Sequence, residues 1–272
     1  MLANGAGAAP DGTGISPVHR EELRAAKRLL ENPSVAARLT DVVGAPIERG
    51  FDLLPAKWAK TVHSAVRISL ERALSVAVRS LGRRTRFGRE RFHKLAVAAT
   101  GAGGGAFGLA GLIVELPIST TIMLRAIADT ARSQGEDVRA LETQLACLEV
   151  FALGGRTPTD DAAEAGYFAV RSALAGTVSD AARYIAQRGL QEKGAPVLVR
   201  FMTSIGSRFG VAVSEKIAAM AVPVIGAAGG AVINTIFISH FQSVAQGHFT
   251  IRRLERVYGQ PAVKELYDRL PV

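Results

Sequence analysis

Apolar residues recur every fourth position across residues 56–82, AKWAKTVHSAVRISLERALSVAVRSLG. Trp58, Val62, Val66, Leu70 and Leu74 form one stripe, with Arg67, Glu71 and Arg72 largely off it. This spacing predicts a long amphipathic helix. Helix punctuation is frequent along the whole chain and strand-type alternation is scarce, so the predicted fold class is all-α. Asn32 before Pro33 reads as an N-cap and first-turn pair, opening a helix that stops near Gly44. Pro46, Pro55 and Pro117 are placed to open further helices in the same way. Thr159, Asp160 and Asp161 put acids at the start of a helix reaching Gln187, where they complement the helix dipole. Gly189 and Gly194 then punctuate a turn, and Pro261 opens a short last helix, AVKELYDRL.

Two uncharged segments rich in Gly and Ala stand out, 95–114 and 217–239. The first contains TGAGGGAFGLAGLIVELP, in which GGGAFG matches the dinucleotide-binding pattern G-x-G-x-x-G. That fold requires a second strand to follow. Here PISTTIMLRAIADTARSQG follows instead, with a helix-opening proline and an i to i+4 pair of Arg125 and Asp129. No cofactor is therefore expected. As a helix, the segment gathers Gly101, Gly104, Gly105, Gly108 and Gly111 within an arc of about 120° at 100° per residue. Gly226, Gly229 and Gly230 do the same in the second segment. Smooth faces of this kind let two helix backbones approach closely. The architecture expected is a multi-helix bundle centred on these two segments. They serve either as buried core helices or as a membrane-inserted hairpin, since both are long enough to span a bilayer. The glycine faces can meet within one chain or between copies, which leaves a homo-oligomer open.

Composition narrows the setting. The 272 residues are 48% hydrophobic, enough for a substantial core, and the chain carries a formal charge of +9 with a pI of about 10.2. The single cysteine, Cys147 in LACLEVFAL, excludes an intrachain disulfide and fits a reducing compartment; it reads as a small buried hydrophobe. Residues 1–20 lack the charged and apolar regions of a secretory signal and are expected to form a disordered tail ahead of one helical domain, 21–272.

Much of the positive charge lies directly before the first glycine segment. Residues 79–94 contain Arg79, Arg83, Arg84, Arg86, Arg89, Arg91 and Lys94 against Glu90, a local +6, interleaved with Phe87 and Phe92. Basic residues with aromatics beside an apolar segment suit the cytoplasmic face of an anionic membrane. The alternative is a solvated loop between helices. Nucleic acid is not an expected partner, because no reader motif accompanies the charge.

Candidate chemistry is sparse. Glu115 lies on the glycine face of an apolar run, where an acid must be paired, protonated or functional, and Arg125 is the nearest cation in sequence. His240 holds the matching place in the second segment, fourteen residues after Gly226 as Glu115 is after Gly101. Packing in register would make Glu115 and His240 an acid and base pair. His240 and His248 are about 12 Å apart along a helix, too far to share a metal, and no metal site is expected. H-E-x-x-H, P-loop and G-x-S-x-G signatures are absent.

The stretch HKLAVAATGAGGGAFGLAGLIVELPISTTIMLRAIADTARSQGED, then CLEVFALGG, GYFAVRSAL, RFGVAVSEKIAAMAVPVIGAAGGAVINTIFISHFQ and HFTIRRLERVYG, resembles the EcsC protein family from about Pro33 to Tyr267. Matching positions include Glu115, Leu116, Pro117, Arg125, Gly154, Gly155, Tyr167, Arg171, Lys216, Pro223, Gly226 and Asn234. The family is named for a protein encoded beside two components of an ABC transporter, and its biochemical activity is not established. The resemblance implies a helical bacterial protein, cytoplasmic or membrane-associated, in a transporter or cell-envelope context, and it supplies no catalytic residues. The leading expectation is a non-enzymatic accessory protein at the inner membrane, meeting anionic lipid or a membrane partner such as a transporter component. A hydrolase acting on lipid or envelope material and a soluble helical scaffold are the alternatives.

Overall fold

The structure is a computed structural model that describes residues 14–31, 35–44, 46, 48–82, 90–155, 166–190, 194–222 and 226–271, with side chains for all of these except 42–43, 90–110 and 226–228. Among the described residues there are ten helices and no strand, so the chain is an all-α bundle. In order they are α1 Pro17–Glu31, α2 Val35–Val43, α3 Glu48–Asp52, α4 Trp58–Ser80, α5 Glu90–Ser133, α6 Leu141–Leu153, α7 Tyr167–Arg188, α8 Pro196–Ala221, α9 Gly226–Tyr258 and α10 Gln260–Arg269.

The four-residue stripe predicted for α4 is its core face. Val62, Val66, Leu70 and Leu74 are buried, while Trp58 is half-buried against Phe51. The off-stripe Arg67 pairs with Glu71 one turn on, at 2.7 Å. Proline opens α8 and α10 in the first turn, where its missing N–H has no intrahelical partner to lose. Helix α7 ends at Arg188 with Gly189 at φ +66, close to the expected Gln187. Asn32, Pro33 and Thr159 to Asp161 lie outside the described residues.

Three expectations need correction. Helix α1 starts at Pro17, inside the stretch expected to be a disordered tail, and Ile15 before it is fully buried. The reason is tertiary: Ile15, Leu23 and Ala26 share an apolar cluster with Ile251, Leu254, Val263 and Leu266, so the first and last helices pack together on α9. Lys27 secures this by donating from Nζ to the Tyr267 and Leu270 carbonyls at 2.9 and 2.7 Å. A cation thus caps the C-terminal, negative end of α10.

Second, Pro117 does not open a helix; it lies within the 44-residue α5. Its ring cannot donate to the Ile113 carbonyl, and that loss is tolerated where Ile113 and Val114 are solvent-exposed. Ser119 and Thr121 donate back to the Leu116 and Pro117 carbonyls at 3.1 and 2.7 Å, a pattern that favours bending. Chain reach requires a bend. Arg132 donates to the Leu81 carbonyl at 2.8 Å, so Glu90, nine residues after Leu81, lies within about 46 Å of Arg132. A straight helix would rise about 63 Å between them. The points of least resistance are the glycine run and Pro117.

Third, the segment 217–239 is not one helix. Its first residues finish α8 at Ala221, and α9 begins at Gly226. Among the described residues, one stretch, Gly111–Ser133, is long and apolar enough to cross a membrane, and 56% of its most apolar window is buried inside the bundle.

The core is centred on α5, α8 and α9, with α4 and α6 completing it. Phe151, Phe209, Phe237 and Phe241 interlock at its middle, with centroids 5.0 to 6.2 Å apart. Helix α9 packs most extensively on α5. Gly229 is buried and Gly111 and Gly230 are half-buried. The surroundings of Gly101, Gly104, Gly105, Gly108 and Gly226 lie outside the described side chains.

Candidate functional site

Two buried polar clusters interrupt this apolar core. The first holds Glu115. Lys216, on α8, places Nζ 2.9 Å from Glu115 Oε1 and 3.2 Å from Oε2, and its side chain is 1% exposed. The ammonium also stands 5.1 Å from the Phe237 ring centroid on α9. The pair therefore joins the three central helices. The cation is not Arg125, which bonds the Ser80 hydroxyl at 3.4 Å. Arg125 is nearly three turns further along the same helix, whereas α8 runs alongside Glu115.

His240 is buried on α9 and donates from Nε2 to the Gly154 carbonyl at 2.8 Å. A carbonyl only accepts, so the proton sits on Nε2. The place where α6 ends is crowded. A Cβ on Gly154 would strike the Phe241 ring, and one on Gly155 would overlap the Arg208 carbonyl of α8. Arg208 itself donates to the Ala152 carbonyl at 3.0 Å. The expected acid and base therefore have other engagements. Both carboxylate oxygens of Glu115 hold Lys216, and His240 Nε2 holds the backbone at the end of α6.

The second cluster was not singled out as a site in the sequence. Tyr167, first residue of α7, contacts His248 Nδ1 on α9 at 2.9 Å, and Arg171 NH1 donates to the Tyr167 oxygen at 3.3 Å. With that oxygen accepting from arginine, the phenolic proton goes to Nδ1, and His248 is the neutral Nε2–H tautomer. Burial, reinforced by Arg171 and Arg252, holds the His248 pKa well below its ordinary value. Arg171 forms a two-pronged ion pair with Glu255, at 2.7 and 2.9 Å. Glu149 of α6 is buried beside this group, and desolvation raises its pKa to about 7 despite Arg171 and Arg252. Tyr167 and Arg171 are one turn apart, and His248 and Glu255 two turns apart. That shared spacing was the legible signal.

The network extends to the α5–α6 turn. Glu136 receives Arg252 Nε at 2.9 Å, a second bond from Arg252, one from Arg256, and Thr143 Oγ1 at 3.1 Å. Burial raises its pKa, but the two arginines outweigh burial and the net shift is downward. This cluster ties α6, α7 and α9 to the α5–α6 turn, with Glu149 as the member poised to titrate near neutral pH. Cys147 lies in the adjoining core, where burial pushes its thiol up to about 12, so it is an inert packing residue as expected. Among the described residues, no three His, Cys, Asp or Glu are grouped to hold a metal.

The basic residues are placed unevenly. Arg79 is exposed in the last turn of α4, Arg91 and Lys94 belong to the first turns of α5, and Arg83, Arg84, Arg86 and Arg89 lie outside the described residues.

Fold and site together define an all-α bundle with a central buried ion pair and a polar joint between its helices. The model of the EcsC protein family matches residues 18–254, and the chain belongs to that family. The match starts earlier than the resemblance suggested, taking in α1, and stops short of α10. Neither a curated protein nor a solved structure matches the chain. Glu115 with Lys216, and Tyr167 with Arg171, are among the positions that carried the resemblance, and each pair is joined in the structure.

Proposed function

We propose that this chain is a non-enzymatic, membrane-associated accessory protein that meets anionic lipid through its basic segment 79–94. The carrying observation is the placement of exposed aliphatic residues on α5 and α9, the two helices that hold the glycine segments. Val114 of α5 is 66% exposed, with Ile113 beside it, and Val232 of α9 is 45% exposed. Helix α5 is the one into which the basic segment runs, so charge and uncovered apolar surface adjoin in the chain. A link to an ABC transporter or cell-envelope process rests on the family's name-giving member alone. The soluble scaffold is the second reading, favoured by the burial of much of Gly111–Ser133 within the bundle.

Fractionation separates the readings. Release from membranes by high salt or carbonate is the expected result, retention until detergent would indicate insertion, and a wholly soluble protein would leave the scaffold. Charge reversal of Arg83, Arg84, Arg86 and Arg89 to Glu is expected to abolish binding to anionic vesicles; undiminished binding would overturn the electrostatic part.

A further inference from the structure

Arginines distant in sequence converge where the chain leaves α4. Arg125 reaches Ser80, and Arg132 donates to the Leu81 carbonyl. Arg139, in the α5–α6 turn, lays its side-chain stem across Gly82, where a Cβ would meet Cγ at 3.3 Å. Arg79 sits in the same last turn of α4. Arginine side chains from α5 and the following turn thus gather against residues 80–82, beside Arg79 and immediately before Arg83. By the 100° step, Arg125 and Arg132 lie about 20° apart on α5.

The acids nearby are partly committed. Asp129 pairs with Arg132, and Asp137 Oδ1 accepts the Arg139 backbone N–H at 2.9 Å. Arg132 is further held by the Leu81 carbonyl. By contrast, the Arg79 and Arg139 guanidinium groups are exposed and make no hydrogen bond or ion pair among the described residues. A fold that gathers cations and leaves two of them unengaged has a surface suited to external anions.

We infer that Arg79 and Arg139, backed by Arg125 and Arg132, form a folded phosphate-binding surface for the headgroups of an anionic bilayer. This inference rests on the membrane reading above and adds to it a site built by tertiary structure. The basic segment continues from this surface, and the exposed aliphatic residues of α5 lie further along the same helix.

The test is sedimentation of the full chain with phosphatidylcholine vesicles, with and without phosphatidylglycerol. For Arg79→Gln with Arg139→Gln, partitioning onto anionic vesicles is expected to weaken about thirtyfold, at ~1 kcal/mol per basic residue near such a surface. Arg188→Gln with Arg200→Gln, an equal charge change at exposed positions on α7 and α8, should weaken it far less. Unaltered thermal unfolding shows that both variants fold. Equal losses in the two variants would reduce the effect to net charge and overturn the site. Wild-type binding that falls on reversal of Arg83, Arg84, Arg86 and Arg89 but not in Arg79→Gln/Arg139→Gln would overturn it while leaving the membrane reading intact. Wild-type protein that ignores phosphatidylglycerol would overturn both.

Discussion

Lys216 and Glu115 meet across the α8–α5 interface with the ammonium in reach of both carboxylate oxygens and almost no exposure to water. Each ion takes the place of the solvent that the other has lost. Removing one is therefore worse than removing both. Lys216→Met is expected to destabilise the fold by about 3–5 kcal/mol, and the double variant Lys216→Met/Glu115→Leu to recover most of that loss. Urea unfolding of the two variants measures the difference. Equal losses in both would mean that the pair contributes no more than packing volume.

Tyr167 supplies the only hydrogen bond to the His248 imidazole among the described residues. Tyr167→Phe keeps the ring, its edge contact with Phe168 and its tilted contact with Tyr267 but strands Nδ1 in a dry site. A loss of about 1–3 kcal/mol is expected. Nitrogen-15 NMR of the imidazole should show Nδ1 losing its hydrogen-bonded acceptor signature. An unchanged His248 spectrum would place the phenolic proton elsewhere.

The features legible in the sequence were the periodic ones. The stripe of α4 is set by local spacing, and local spacing survives folding. Glu115 reads from the sequence as an acid in need of a partner, because burial of charge is costly wherever it happens. The sequence does not point to that partner, since Lys216 lies 101 residues away and sequence distance favours Arg125. The same limit applies to α1. Its start looked floppy because nothing local holds Ile15, and what holds it comes from α9 and α10. Pro117 misled for a related reason: proline opens helices by its own geometry, while surrounding packing decides whether one continues through it.

Glycine by itself carried mixed information. Gly155 lies where α8 crosses the end of α6, and a methyl group there would overlap the Arg208 carbonyl, a backbone atom that cannot turn aside. Gly155→Ala should therefore force the crossing apart and lose several kcal/mol, at or beyond the upper end of the 1–3 kcal/mol typical of overpacking. Gly176 is exposed in α7 with nothing within 4 Å of its Cβ position. Gly176→Ala should raise stability by up to about 1 kcal/mol, because alanine loses less backbone freedom on helix formation. Thermal unfolding of the two variants should give shifts of opposite sign. A Gly155→Ala variant that is not destabilised would mean that the close approach to the Arg208 carbonyl is not part of the folded core.

Glu149 makes the stability of the bundle depend on pH in a direction unusual for a carboxylate. Desolvation lifts its pKa from the ordinary 4.5 to about 7, against the pull of Arg171 and Arg252, while Glu255 adds to the rise. Between those values the folded chain binds a proton that the unfolded chain has released. Stability therefore falls as pH climbs through that window and levels off above it. Glu215, also raised to about 7 by burial, acts in the same sense, so wild-type protein alone cannot isolate one residue. His248 acts oppositely: with its pKa depressed in the fold, it contributes stability that is lost as pH drops below about 6.5. Glu149→Gln separates the terms, since it keeps the shape and is neutral throughout. Relative to wild type, the variant should gain stability from pH 5 to pH 8, by on the order of 3 kcal/mol at most. Urea unfolding at the two pH values measures this, and a variant that tracks wild type across the range would show that Glu149 is ionised and solvated in the folded protein.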